Sequence, residues 1–140
     1  MKNFQQISKK SGFMKNNGGL LFRKISKKEY QFKTKITKKH LNKAGITHGG
    51  YIASIIDSGA GTGAHKSTGG KPCVTISLDI KFIASTVLGN EIIGFTKIQK
   101  ITNSMVFLIC HLKCKGKLIA TASGIWKILK KSLPNAGYGG

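Results

Sequence analysis

Residues 48–64 read HGGYIASIIDSGAGTGA, and this stretch predicts the central element of the fold. From Gly50 to Ala64, apolar or small residues recur at helical spacing, at Ile52, Ile55, Ile56, Gly59, Ala60 and Gly63. The other side of this helix is small and nearly uncharged, with Ala53, Ser54, Asp57 and Gly61. A helix with so few charges on any side is predicted to be buried. Its glycines at 59, 61 and 63 each cost about 1 kcal/mol relative to alanine, so they indicate that another backbone or a ligand approaches closely.

Strand patterns flank this helix on both sides. Leu20–Ile25 and Tyr30–Ile36 precede it, and four longer strands follow it, at Cys73–Phe82, Glu91–Ile101, Met105–Lys113 and Leu118–Leu129. The strand Cys73–Phe82 alternates, which predicts one face with Val74, Ile76, Leu78, Ile80 and Phe82, and an opposite face with Thr75, Ser77, Asp79 and Lys81. A single hydrophobic helix must be covered on nearly all sides. We therefore predict an α+β fold in which a curved antiparallel sheet wraps around one long buried helix.

The chain of 140 residues, 40% of them hydrophobic, is long enough for one domain with one core. We expect a flexible basic arm over residues 1–18, the folded domain over 19–130 and a disordered tail over 131–140. No apolar stretch approaches the roughly 20 residues of a membrane-spanning helix. Three cysteines without a CxxC pair favour a reducing, cytoplasmic compartment, and no metal site is expected at Cys110 and Cys114 because only His111 accompanies them.

The net charge of +20 is the most prominent bulk feature. Only Arg23 among the 24 basic residues is an arginine, the residue best suited to bidentate recognition of phosphates and bases. Lysine pairs are spread along the whole chain, which is typical of a solvated surface. No nucleic-acid-binding motif is present, so nucleic acid is not the expected partner. A specific polyanion-binding surface stays open as an alternative.

The scarce acids single out Asp57. The chain has four acidic residues, and Glu29, Asp79 and Glu91 lie in polar surroundings where solvation or a nearby lysine suffices. Asp57 lies in the middle of the predicted buried helix, with no basic residue in that helix to pair with. A buried carboxylate without a partner is energetically costly. It is either a structural residue that finds a hydrogen bond elsewhere or a functional one.

The segment before the helix points to carbonyl chemistry. Gly49 and Gly50 lead into the helix, where backbone N–H groups lie at the positive end of its dipole. Such groups can hold the oxygen of a polarised carbonyl. A simple glycine turn into the helix is the alternative, and a lone His48 is more often structural than catalytic.

The pattern Asn42-x-x-Gly45-x-x-His48-Gly49-Gly50-x6-Asp57 resembles the signature of the PaaI-type hotdog thioesterases at all six positions. The order of elements resembles that family over roughly residues 20–130. One departure is Phe82-Ile-Ala-Ser-Thr86, where the family often has a proline. The resemblance implies a hotdog fold and an enzyme that hydrolyses an acyl-CoA or a related acyl thioester without a cofactor or metal. A non-catalytic hotdog protein that binds acyl-CoA or a polyanion is the alternative.

The resemblance also implies roles for individual residues. Asp57 becomes the catalytic carboxylate, as nucleophile or as general base. The N–H of Gly49 polarises the thioester carbonyl, Asn42 helps to place the carbonyl or the water, and Thr75 is the assisting hydroxyl. His48 and Gly50 are expected to shape the substrate site. Ser54 and Gly61, both small and near Asp57, leave room for a bulky acyl group.

Helix geometry adds one inference. His48 and Asp57 are nine residues apart, roughly 13 Å along a helix at 1.5 Å per residue. Gly49 and Asp57 of one chain therefore cannot both contact one carbonyl carbon. We expect a homodimer with two shared sites, with a homotetramer as the larger assembly. The lysines near the site would attract the phosphates of coenzyme A.

Overall fold

A computed structural model describes residues 3–131. The elements in chain order are β1 Gln5–Gln6, α1 Phe13–Asn16, β2 Leu21–Lys24, β3 Glu29–Lys35, α2 Gly49–Ser67, β4 Cys73–Phe82, β5 Glu91–Ile101, β6 Met105–Cys114 and β7 Lys117–Ile128. A short 3₁₀ turn, Lys38–His40, lies between β3 and α2. The predicted helix and the six predicted strands are confirmed, with boundaries within a few residues.

The strands of this part of the chain form one antiparallel sheet in the order β1-β2-β3-β5-β6-β7-β4. Helix α2 packs against five of these strands, from β3 to β7. Ile55, Ile56 and Ala60 are fully buried between helix and sheet, because the apolar stripe faces the strands. The predicted hotdog architecture is confirmed. The sheet ends at β4, whose outer edge has no neighbouring strand among the described residues.

The N-terminal segment differs from the expected loose arm. Gln5 and Gln6 pair with β2, and the Gln6 side chain accepts hydrogen bonds from the N–H groups of Ser8 and Leu20. Met14, on α1, is fully buried in the core. The segment is polar in composition but contributes this apolar anchor, so residues 3–18 pack on the domain. Residues 132–140 of the predicted tail lie outside the described residues.

Strand β4 differs from the predicted alternation at one point. Its pairing with β7 shifts register between Thr75 and Ser77, which leaves Ile76 as the extra residue of a β-bulge. Thr75 pairs with the buried Trp126, so it lies on the face that meets α2. The prediction that Thr75 shares a face with Ser77 and Asp79 was wrong, because the bulge inverts the alternation on one side of it.

Phe32 fills the space between two glycines. Its ring is fully buried, and a Cβ added at Gly59 on α2 or at Gly94 on β5 would meet the ring directly. The expected close approach to the helix is therefore made by an aromatic side chain of the sheet.

Gly59→Ala is expected to destabilise the fold by about 2 kcal/mol, since overpacking outweighs the gain in helix propensity. Gly63→Ala is the matched control. It brings the same gain in helix propensity, but its Cβ lies 3.3 Å from the nearest Tyr30 atom, a contact that a small shift relieves. Urea midpoints measure the difference, and equal midpoints for the two variants would contradict the packing described for Phe32.

Candidate active site

His48 caps the N-terminus of α2. It has extended backbone angles, φ −62° and ψ 131°, and its Nδ1 accepts a hydrogen bond of 2.8 Å from the N–H of Gly50. A side chain that accepts from the first turn satisfies a donor that has no partner within the helix. The expectation that both glycine N–H groups are free is therefore wrong for Gly50. His48 therefore orders the loop. Of the two glycines, Gly49 is the one whose N–H stays without an acceptor among residues 3–131.

Gly49 is the first residue of α2, and its N–H has no hydrogen-bond acceptor among residues 3–131. It lines a cleft of about 270 Å³ together with Asn42. The other lining residues come from the loop before the helix, from the helix itself and from the end of β4 with the segment after it, and they are Ile46, Thr47, Ile52, Phe82, Ile83, Ala84, Ser85 and Thr86. A free N–H at a helix N-terminus is suited to hold a carbonyl oxygen as negative charge develops on it.

Asn42 adds a second donor to this cleft. Its Oδ1 accepts from the N–H groups of Ala44, at 2.9 Å, and Ile46, at 3.3 Å, which closes the turn before His48. With Oδ1 occupied, the amide group of Nδ2 is what Asn42 can offer to a ligand. The structure thus brings Asn42 and Gly49 together, as a pair of N–H donors on one cleft.

Asp57 and Thr75 form a separate pair farther along α2. The Thr75 Oγ1 donates to Asp57 Oδ1 at 2.5 Å, and the β4 bulge puts Thr75 on the face that allows this contact. Asp57 is exposed in the single chain, so the prediction of a buried carboxylate without a partner was wrong. The hydroxyl fixes one carboxylate oxygen and leaves Oδ2 for chemistry.

The remaining predicted site residues divide between the two sides of the helix. Ser54 is half-buried, and its Oγ donates to the Gly50 carbonyl of the same helix at 2.7 Å. Gly61 is buried, and a Cβ added to it would lie 3.0 Å from Nε1 of Trp126. Gly61 therefore packs against the sheet and does not line the exposed face beside Asp57, contrary to expectation.

The far wall of the Gly49 cleft was missed in the sequence. Thr86, buried at the end of this wall, accepts at its carbonyl from the N–H of Thr47 at 2.9 Å and donates through Oγ1 to Thr47 Oγ1 at 2.7 Å. Phe82 and Ile83, on the same wall, are 59% and 52% exposed. The sequence differs from the family pattern at Phe82-Ile-Ala-Ser-Thr86. This difference does not show that these residues face the loop before α2.

Within residues 3–131, no group of three or more His, Cys, Asp or Glu side chains is arranged to hold a metal ion. In the same part of the chain, no helix has the length and apolar character needed to cross a bilayer.

One antiparallel sheet packed against one long helix, in the strand order given above, is the hotdog architecture. The family model of the Thioesterase superfamily matches residues 44–120, which contain Gly49, Asp57 and Thr75. The chain therefore belongs to the Thioesterase superfamily.

Curated relatives agree with this family. A Pseudomonas aeruginosa protein with a provisional assignment as an esterase is 26% identical over 126 residues, which cover 89% of this chain and 94% of that protein. Mouse acyl-coenzyme A thioesterase 13 is 32% identical over 88 residues, 61% of this chain. That match spans 63% of the mouse enzyme.

Solved structures show the same fold. Zebrafish thioesterase superfamily member 2 superposes with a TM-score of 0.79 at 22% identity, over 88% of this chain and 91% of that one. A variant of the phenylacetic acid degradation protein PaaI from Thermus thermophilus gives 0.74 at 19% identity, over 81% of this chain and 96% of that one.

Proposed function

We propose that this protein hydrolyses acyl-CoA thioesters with Asp57 as the catalytic carboxylate and Gly49 as the carbonyl-polarising donor. The observation that carries the proposal is the hydrogen bond of 2.5 Å from Thr75 to Asp57 on an open face of α2. Membership of the Thioesterase superfamily supports the reaction class. The name of the mouse relative supports coenzyme A as the thiol carrier.

The chemistry follows from the groups available. The N–H of Gly49 and the amide of Asn42 hold the thioester oxygen, which gains negative charge when the carbonyl carbon is attacked. As general base, Asp57 Oδ2 takes a proton from water while the water oxygen bonds to that carbon. As nucleophile, Oδ2 bonds to the carbon itself and water later releases the acid. In both routes the C–S bond breaks and the thiolate of coenzyme A leaves and is protonated.

One chain cannot supply both halves of this site. Gly49 and Asp57 are eight residues apart on a single helix, roughly 12 Å at 1.5 Å per residue. We propose that two chains form a homodimer in which Gly49 of one and Asp57 of its partner meet at each of two sites. A homotetramer would add a second dimer, and the chemistry does not require it.

The exposed edge of β4 is the surface we assign to this dimer. Its outer edge has no partner strand within residues 3–131. Ile76 and Phe82 on this strand are 50% and 59% exposed, and Asp57 lies beside it. An open strand edge with exposed apolar side chains is suited to pairing with another chain. A second copy seated there would also cover Asp57.

The charge and the cysteines fit the same proposal. A net charge of +20 attracts the phosphates of coenzyme A towards the protein. Cys73, Cys110 and Cys114 are buried and form no disulfide within residues 3–131, and burial raises the pKa of the Cys110 thiol to about 12. A thiol kept protonated in this way is a poor nucleophile, so we assign Cys110 no part in catalysis. We infer a cytoplasmic location, where reduced cysteines persist.

A panel of acyl-CoA substrates, from acetyl to long-chain and aryl groups, tests the function. We expect turnover of at least one of them, detected as released thiol, because Asp57 supplies the carboxylate of the proposed reaction and Gly49 and Asn42 supply the donors to the carbonyl oxygen. Tight binding of all substrates without released thiol would contradict the proposal and favour a non-catalytic acyl-CoA-binding protein.

A further inference from the structure

His40 is a buried histidine that the proposed chemistry does not use. It is 2% exposed and lies at the end of the 3₁₀ turn Lys38–His40, two residues before Asn42. A buried imidazole needs partners for both of its ring nitrogens. The contacts of these nitrogens show what the residue holds in place.

Two backbone groups fix the protonation of the His40 ring. Nδ1 lies 2.9 Å from the backbone nitrogen of Thr37, whose N–H can only donate, so Nδ1 is the acceptor. Nε2 lies 2.6 Å from the carbonyl oxygen of Asn17, which can only accept, so Nε2 carries the proton. His40 is thus neutral and in the Nε2-protonated tautomer.

The same residue contacts the first turn of α2. Its ring stacks on Tyr51, with ring centroids 3.8 Å apart and an interplanar angle of 11°. Its backbone carbonyl accepts from the N–H of His48 at 2.8 Å. Tyr51 is anchored in turn by a hydrogen bond of 2.9 Å between its hydroxyl and Thr34 Oγ1.

These contacts join three segments at one point: the loop after α1, the connection that carries Asn42, and the start of α2 that carries Gly49. Asn42 and Gly49 are the two donors of the cleft. Their relative placement depends on the turn that ends at His40, because Asn42 follows that turn and His48 is bonded to it. The His40 side chain closes this turn, because its Nδ1 accepts from the N–H of Thr37.

We infer that His40 is a positioning residue that holds Asn42 and the N–H of Gly49 in the arrangement needed to bind the thioester oxygen. The contact that matters most is the one from Thr37 N–H to Nδ1, since it closes the turn that ends two residues before Asn42. The inference rests on the proposed hydrolysis and deepens it, because His40 touches no substrate and acts through two residues that do.

Two substitutions separate the ring contacts. In His40→Asn, the amide oxygen reaches about as far as Nδ1 and can still accept from Thr37, but nothing reaches Asn17. In His40→Leu, a side chain of the same shape as Asn offers no acceptor to Thr37. Both variants lose the ring and the contact with Asn17, and they differ only in whether the N–H of Thr37 has an acceptor. Tyr51→Phe is a further control, because it keeps the stacking and loses the hydroxyl contact with Thr34.

We expect kcat to fall about tenfold or more in His40→Leu and no more than about twofold in His40→Asn, as small misplacements of catalytic donors cost rate. KM is expected to stay within about twofold in both, since His40 is not a binding group. Tyr51→Phe is expected to keep the wild-type kcat. An equal fall of kcat in all three variants, or no fall in His40→Leu, would overturn the inference.

Nuclear magnetic resonance gives a readout that does not need activity. In ¹⁵N spectra, His40 is expected to show a protonated Nε2 and an unprotonated Nδ1. The Asn42 side-chain amide and the Gly49 N–H are expected to shift in His40→Leu and to stay in place in His40→Asn. Unmoved signals in both variants would refute the positioning role. A wild-type protein without turnover but with these shifts would instead refute the proposed hydrolysis alone.

Discussion

Asp57→Asn is expected to lower kcat for acyl-CoA hydrolysis about a thousandfold, within the range that general acid–base groups contribute. An amide neither takes a proton from water nor attacks the carbonyl carbon. The fold is expected to persist, because Asp57 is exposed and the Asn oxygen can still accept from Thr75. Released thiol under saturating substrate measures the effect, with circular dichroism as the check on folding.

Glu91→Gln is the control for that substitution. Glu91 is likewise an exposed acidic residue, it lies on β5 away from the proposed dimer edge, and its carboxylate lies 3.9 Å from Nζ of Lys33. An exposed ion pair of this kind contributes little to stability. Wild-type turnover is expected in Glu91→Gln. Comparable kcat values for Asp57→Asn and Glu91→Gln would remove Asp57 from the reaction.

Gly49→Pro is expected to lower kcat by about a hundredfold or more, the cost of removing one donor to a developing oxyanion. Proline lacks the N–H that we assign to the thioester oxygen. The first position of a helix tolerates proline well. His48 already has φ −62° and ψ 131°, angles that suit the residue before a proline. The substitution therefore deletes one donor with little change to the backbone.

Gly49→Ala separates the N–H from the glycine itself. The added Cβ would lie 3.6 Å from the Phe82 ring, an ordinary van der Waals contact, and the backbone N–H is retained. We expect kcat within about threefold of the wild type, since the oxyanion donor stays in place. If alanine is as damaging as proline, the defect comes from crowding at Phe82 and the assigned role of the N–H is wrong.

Residue periodicity predicted most of this fold. The stripe from Ile52 to Gly63 and the alternating strands depend on local spacing alone, which the sequence contains directly. The burial of Met14 could not be predicted in this way. One apolar side chain in a polar segment has no period, and its position depends on a contact with a distant part of the chain.

The sequence singled out candidate site residues but did not reveal how they are arranged in space. The alternation of β4 placed Thr75 away from Asp57, and only the bulge at Ile76 brings the two together. A bulge follows from how two strands pair, which one strand does not reveal. Similarly, nothing local shows that His48 occupies the N–H of Gly50, or that Trp126 packs against Gly61.

In the proposed dimer, each site combines Gly49 of one chain with Asp57 of its partner. Co-expression of Asp57→Asn chains and Gly49→Pro chains with two different tags, followed by tandem purification, yields mixed dimers. In these, one site has both groups intact and the other has neither. About half of the wild-type turnover per dimer is expected from two nearly inactive parents, because the helix keeps the two groups of one chain apart. Mixed dimers as inactive as their parents would contradict this arrangement.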